Sequence, residues 1–478
     1  MKLNLVTIIS MLVYVTFTSC AHAKEATEFI ALLKKHYENT SSIKAFSLTH
    51  SYLGRSDPYQ SWDYKAPSRY KAFKVTDIDL EKKHYYQNVV HHFTGGLFYD
   101  EVHFQNNSES LRYERNGIAL GKGVIKQSMT SFERYKNLTL MNLDFFAVRP
   151  LLAEADVGDK INFQLDEAAG KVTLIHQTSE NKPIEYVFSQ SPLRLLSINN
   201  KARKRIYIYD NYRTNNGYHF AHSLVKYYNG DAKPSFITRM EKFEVLEQID
   251  QERLTLPEGY NTILPERNSM LSSREIATDL YLITDSSAIT NTLFKVNGDN
   301  IMVFGAPTNN KSSERAINTI YDRFPNKKIN AVYITHPYSD HIAGLLPYVE
   351  RGAIVYADEY TIEAIKAFPR FSKVINKFSF ETLTHEQMLD GVRFYVLENS
   401  RSKRQSFAYF EQSGIIYQSD FLEVAFDNTI AELLPNYSKQ FITFVRNKKL
   451  EVSRIVGHHR NNNISPEIMD KSYHANTM

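Results

Sequence analysis

The sequence predicts an α+β protein of two domains: a mostly antiparallel sheet domain, then one in which strands and helices alternate. Three observations predict it. At 478 residues the chain is longer than one core usually fills. It carries 31 Tyr and 29 Phe, and aromatic side chains favour the pleated, half-buried surface of a sheet. Near Gly259 the hydrophobic pattern changes, from short alternating runs broken by turn residues to strand-length runs that alternate with helical periodicity.

The elements follow in order. Met1-Lys2, an apolar stretch from Leu3 to Phe17 and the small residues ending at Ala23 have the layout of a secretory leader, so residues 1–23 are expected to be removed and the protein exported to a bacterial periplasm. Lipidation on Cys20, giving an outer-membrane lipoprotein, is the alternative. Cys20 is the only cysteine, so the mature chain is expected to have no disulfide, cysteine nucleophile or thiolate ligand. Phe29, Leu32, Leu33 and Tyr37 have helical spacing and open a first domain spanning residues 24–261. Runs such as Phe46–Tyr52, Val172–Ile175 and Ser223–Tyr228 supply its strands. The stretch from Thr262 to Arg274 has no period and reads as a linker. The second domain, residues 275–478, starts with strands at Leu280–Thr284, Asn291–Val296 and Asn300–Phe304. A helix at Glu314–Phe324, a strand at Ile329–Ile334 and a helix at His341–Val349 follow.

Composition excludes several function classes. Hydrophobic residues make up 42% of the chain and charged residues 23%, which are globular values. The net charge of +4 is dispersed rather than gathered in a basic helix or tail, so a nucleic-acid partner is not expected. The densest basic run, Lys201-Ala202-Arg203-Lys204-Arg205, reads as a turn with a solvated basic edge. Beyond the leader no apolar run is long enough to span a bilayer, so no transmembrane segment is expected in the mature chain. His84, His91, His92 and His103 read as residues of surface strands rather than a metal site. There is no Gly-x-Ser-x-Gly elbow for a serine hydrolase.

The chemistry concentrates in Ile334-Thr335-His336-Pro337-Tyr338-Ser339-Asp340-His341, which leaves an apolar run and enters a helical one. Two imidazoles and a carboxylate on one strand-to-helix loop form a metal-ligand pattern. Positions 336 and 338 lie two apart on an extended strand end and project to one side, whereas Asp340 also suits a helix N-cap. Two later apolar strands end in ligand-type residues, Gly414–Asp420 in a carboxylate and Arg454–His459 in imidazoles.

With these residues the second domain resembles the metallo-β-lactamase-fold hydrolases, which implies an αββα sandwich with metal at one edge. The resemblance places Asp340, His341, Asp420 and His458 at the second metal site and His336 with Asp420 at a partial first one. It departs from the pattern at Tyr338, where a second histidine is usual, at Leu397–Lys403, where a third would lie, and at Gly305, where an aspartate usually supports the loop. Tyr338 is therefore considered as a weak ligand or an oxyanion donor. The expectation is a zinc hydrolase with one ion rather than two, acting on a small ester, lactone or amide, with Asp340 and Asp420 as catalytic carboxylates. The alternative is a catalytically degenerate relative acting as a ligand-binding or envelope-interaction protein. The first domain loosely resembles lipoprotein-carrier-like half-barrels, which implies a concave apolar sheet face. A small-molecule substrate or a hydrophobic ligand is the expected partner.

Overall fold

The computed structural model describes residues 24–477 apart from 179–181, 267–269, 286, 288 and 307. The expected leader with Cys20, and Pro307, lie outside the described residues. Among the described residues, no helix is long and apolar enough to cross a membrane.

The first domain opens with a helix over 24–36. Behind it lies one fourteen-stranded sheet in which all neighbours are antiparallel except the edge pair Thr262–Ile263 and Gly123–Lys126. The first sheet thus reaches into the stretch expected to be linker, and the second domain starts with the strand Ser272–Ala277.

Alternation sends Phe46 and Leu48 of Ala45–Arg55, Tyr207 and Tyr209 of Arg205–Asn215, and Phe220 and Leu224 of Tyr218–Tyr228 to one face. That face packs on the first helix and on short helices at Ser131–Leu140, Asp144–Ala147 and Arg149–Leu152. The abundance of Phe is used here. Phe46 meets Phe146 at 4.8 Å between ring centres, and Phe243 meets Phe145 at 5.4 Å and Phe220 at 5.7 Å. Pairs of this geometry add roughly 0.5–1.5 kcal/mol each beyond their buried area. The histidines read as surface residues are partly interior. His84 and His103 are buried, His84 against Asn107 at 2.8 Å and His103 against Tyr135 at 2.8 Å, because helix Ser131–Leu140 and a loop cover that end of the sheet.

One carboxylate sits inside this aromatic core. Asp144 is buried, accepting from the Tyr37 hydroxyl at 3.1 Å and from the Ala221 amide at 3.0 Å. Burial outweighs those bonds and raises its pKa from 3.8 to about 6. The native state therefore holds a proton that the unfolded chain has released. Stability falls as pH rises between those two values and stays level above them. Asp144→Asn keeps the shape and removes the charge, so urea denaturation at neutral pH should show a gain of roughly 3 kcal/mol that vanishes in acid. A loss of stability at neutral pH would show instead that the ionised form is needed.

The second domain has two sheets face to face. The first runs Ser272–Ala277, Leu280–Thr284, Thr292–Asn297, Asn300–Phe304, Lys328–Tyr333, Ile354–Ala357, Phe380–Thr382. The second runs Gln387–Leu389, Val392–Leu397, Gln405–Phe410, Ile415–Gln418, Arg454–Gly457. Leu282, Phe304, Tyr333, Phe394, Tyr417 and Val456 fill the space between them. Helices Asn310–Arg323 and Glu359–Ala367 cover the first sheet, and Asn436–Asn447 and Pro466–Tyr473 the second. This is the expected αββα sandwich. The helix expected at His341–Val349 is instead two single turns, Ser339–Ile342 and Leu346–Val349, parted at Ala343-Gly344-Leu345.

Candidate functional site

Parallel pairing brings the ligand-type residues together. Asn300–Phe304 runs parallel to Lys328–Tyr333, and Ile415–Gln418 runs parallel to Arg454–Gly457 with Gln418 opposite Gly457. All four strands therefore end at one edge of the sandwich, the position where crevices form in sheets of this kind. The loop with His336, Asp340 and His341 leaves the first sheet there, Asp420 leaves the second, and His458 follows Gly457.

All five expected site residues meet. Asp420 lies at the centre: one carboxylate oxygen is 3.6 Å from His336 Nε2 and the other is 3.6 Å from His341 Nε2. His341 Nε2 is also 3.7 Å from Asp340, and the rings of His341 and His458 lie 4.8 Å apart. Asp420 holds φ at +61°, a left-handed conformation unusual outside glycine, which turns its carboxylate back over the strand ends. Among the described residues, two sets have donor atoms within 4.8 Å of one another: His341, His458 and His459, and His336, His341 and Asp420.

The donor set fits a divalent metal. His336 Nε2 and His458 Nε2 are buried and have no hydrogen-bond partner among the described residues. Such atoms are costly unless something binds them. Each ring is held from its other nitrogen, His336 Nδ1 by the Thr335 hydroxyl at 3.0 Å and His458 Nδ1 by the Tyr417 hydroxyl at 2.8 Å. With Nδ1 protonated, Nε2 keeps its lone pair toward the cluster.

The electrostatics agree. Burial, with His341 beside it, lowers His336 to about 4, and burial together with His459 and His341 holds His458 well below the ordinary histidine value. Asp420 is buried and Asp340 half-buried, with its side chain 37% exposed; desolvation alone would raise both, yet neighbouring histidines, and Arg401 beside Asp420, hold both low. Neutral imidazoles and ionised carboxylates are the forms that ligate metals.

Three side chains at this site were not named from the sequence. His459 Nε2 lies 3.3 Å from Asp340. Strand alternation would turn one of the pair 458–459 away, but the strand stops at Gly457, and in the turn that follows both rings face inward. The doublet was visible as a signal; the turn was not. The second is Arg401, within Leu397–Lys403. Its guanidinium contacts Asp420 at 3.2 Å, on the oxygen that faces His336. The third is Gln60 of the first domain, whose amide donates to Asp340 at 2.7 Å.

These contacts correct two expectations. Tyr338 is neither ligand nor oxyanion donor: its buried hydroxyl donates to the Arg401 carbonyl at 2.6 Å, while the Arg401 guanidinium lies 5.0 Å over its ring. At Gly305 the support comes from elsewhere. Gly305 has φ +97°, and a Cβ there would run into the Tyr417 hydroxyl and come within 2.9 Å of His458 Nδ1. Tyr417 thus fills the space that an aspartate at 305 would need. Gly305→Ala should displace His458 and lower zinc affinity by about tenfold or more, read by competition with a chromophoric chelator. Unchanged affinity would show that Tyr417 does not position His458.

The site opens into a pocket of about 250 Å³ between the domains. Phe93, Leu97 and Tyr99 of the first domain form one wall, with Ile289 and Arg460 opposite. Trp62 Nε1 donates to the Asn399 carbonyl at 2.8 Å and Lys403 pairs with Asp63 at 2.9 Å, so the first domain also fixes the loop that carries Arg401.

No family model matches the chain, and no curated protein matches it. Among solved structures it is similar to metallo-β-lactamases. That of Hirschia baltica is 13% identical, covering 44% of this chain and 98% of that one with a TM-score of 0.35. That of Erythrobacter litoralis is 14% identical, covering 44% and 96% with a TM-score of 0.35. That of Pontibacter korlensis is 14% identical, covering 43% and 97% with a TM-score of 0.34. The second domain has the metallo-β-lactamase fold, as its two sheets between helices show by their own topology.

Proposed function

We propose that this chain is an exported hydrolase that uses one zinc ion to cleave a small ester, lactone or amide. The observation that carries the reading is the convergence of Asp340, His341, His458 and Asp420 at the strand ends, with the Nε2 of His458 buried and unpartnered among the described residues. Asp340, His341 and His458 would hold the ion and leave a position open for water, with Asp420 a fourth ligand or the base on that water and His459 a further donor beside Asp340. Zinc bound there would polarise a carbonyl and acidify a water. Asp420, kept ionised by His336, His341 and then Arg401, is the group to receive a proton from that water. Asp340 is held in place by Gln60 and His459. Phe93, Leu97 and Ile289 would keep bulk water from a bond cleaved in the pocket. Arg401 adds a fixed positive charge on the His336 side, which is why one ion suffices in this reading. The leader-like residues 1–23 support export.

The test is elemental analysis of protein purified without chelator, followed by a panel of chromogenic esters and lactones. About one zinc per chain and turnover lost on chelation are expected. A zinc-free protein without turnover would overturn the reading. That outcome belongs to a second reading, a ligand-binding or envelope-interaction protein, which two contacts favour: the Arg401–Asp420 pair and the Tyr338–Arg401 bond give part of the cluster internal partners.

A further inference from the structure

A concave space in the first domain, sharing no lining residue with the metal cluster, lies between the inner face of the sheet and the helices Ser131–Leu140, Asp144–Ala147 and Arg149–Leu152. Its volume is about 560 Å³, within the roughly 300–1,000 Å³ of small-molecule sites. Tyr186, Ile198 and Tyr207 line it from the sheet, and Leu140, Met141 and Phe146 from the helices.

Its charge is one-sided. Lys136, Arg149, Arg203, Arg205 and Lys226 line it, and no Asp or Glu does so among the described residues. Two of these cations are engaged elsewhere: Lys136 pairs with Glu133, and Arg149 donates to the Thr40 carbonyl at 2.7 Å. Arg203, Arg205 and Lys226 form no ion pair among the described residues. Arg203 and Arg205 belong to the basic run that reads in the sequence as a solvated turn edge. The turn is present, but both side chains line the cavity.

Lys226 is the most informative of the three. It alternates with Leu224 and Tyr228 on the inward face, where an apolar residue is the rule. Among the described residues its ammonium reaches only a neutral acceptor, Asn142 Oδ1, at 2.7 Å. Burial, with Lys74 nearby, lowers it to about 7. A lysine kept on a sheet's inner face, without a carboxylate partner, costs stability unless an anion joins it.

We propose that this cavity binds a long-chain fatty acid, its hydrocarbon chain along Tyr186, Ile198 and Phe146 and its carboxylate at Lys226 and Arg205. The site is independent of the hydrolase reading. A single chain suits the volume, and the cationic lining with its lone inward lysine asks for an anionic head. The lining thus assigns the head group as well as the chain.

The experiment is displacement of a dansyl-labelled fatty acid from the full-length protein, with a long-chain fatty acid, the alcohol of the same length and a lysophosphatidate as competitors. Saturable binding of about one acid per chain is expected, with the alcohol at least about tenfold weaker. Lys226→Met and Arg205→Met should each weaken the acid and leave the alcohol unchanged, with circular dichroism confirming the fold and zinc content unaltered. Equal affinity for acid and alcohol would overturn the proposal, as would tighter binding of the phosphate, no binding at all, or an acid affinity unmoved by both substitutions. Zinc content and ester turnover report on the other domain, so failure here and failure of the hydrolase reading are distinguishable.

Discussion

His341→Ala is expected to remove zinc and turnover together. His341 is the one residue that belongs to both sets of converging donors, within 3.7 Å of Asp340 and 3.6 Å of Asp420. Its ring also lies 4.8 Å from that of His458 and 4.4 Å from that of His336. A catalytic zinc needs three protein ligands and an open position. Without His341, the remaining donors are split between the His336 side, already served by Arg401, and the His458–His459 side. The expected result is a fall from about one zinc per chain to none, and in turnover by about a thousandfold or more, which is roughly 4 kcal/mol of barrier. His385→Ala, at an exposed histidine bonded to the Val396 carbonyl, should change neither. Full zinc content and activity in His341→Ala would sink the mechanism.

Arg401→Met is expected to produce the second large effect, on stability. Arg401 and Asp420 are both buried and 3.2 Å apart. Removing one partner of a buried pair leaves the other charge without compensation, at about 3–5 kcal/mol. Loss of the cation over the Tyr338 ring adds a smaller cost. Urea denaturation of metal-free protein should therefore show a loss of about 3 kcal/mol or more. Added zinc should restore part of it, because an ion on Asp420 answers the same negative charge and binds only the folded state. A loss below about 1 kcal/mol, or one that zinc does not reduce, would show that Arg401 is not the cation that holds Asp420.

Much of the second domain was legible because its signals are local. An apolar strand, a turn and a helix each leave a period in the sequence. A ligand-type residue at a strand's carboxyl end is visible whatever the strand pairs with, and so His336, Asp340, His341, Asp420 and His458 were all named. Where local periodicity was the only guide, it also misled. The apolar residues of His341–Val349 have helical spacing, but Ala343-Gly344-Leu345 parts them into two turns. The histidines of the first sheet alternate like surface residues, yet His84 and His103 are covered by segments distant in sequence.

The sequence by itself determined the donor chemistry and the strand ends that present it, because side-chain identity and alternation are properties of a few neighbouring residues. Tertiary structure decided which side chains complete the site. His459 joins because its strand stops one residue early. Arg401 joins because its loop is fixed by Trp62 and Asp63 of the other domain, and Gln60 because the two domains meet at Asp340. The same holds for Lys226, whose inward position is readable from alternation, but whose lack of a carboxylate partner is a property of everything packed around it. Short-range pattern fixes what a residue can do; the three-dimensional neighbours of its charge decide what it does.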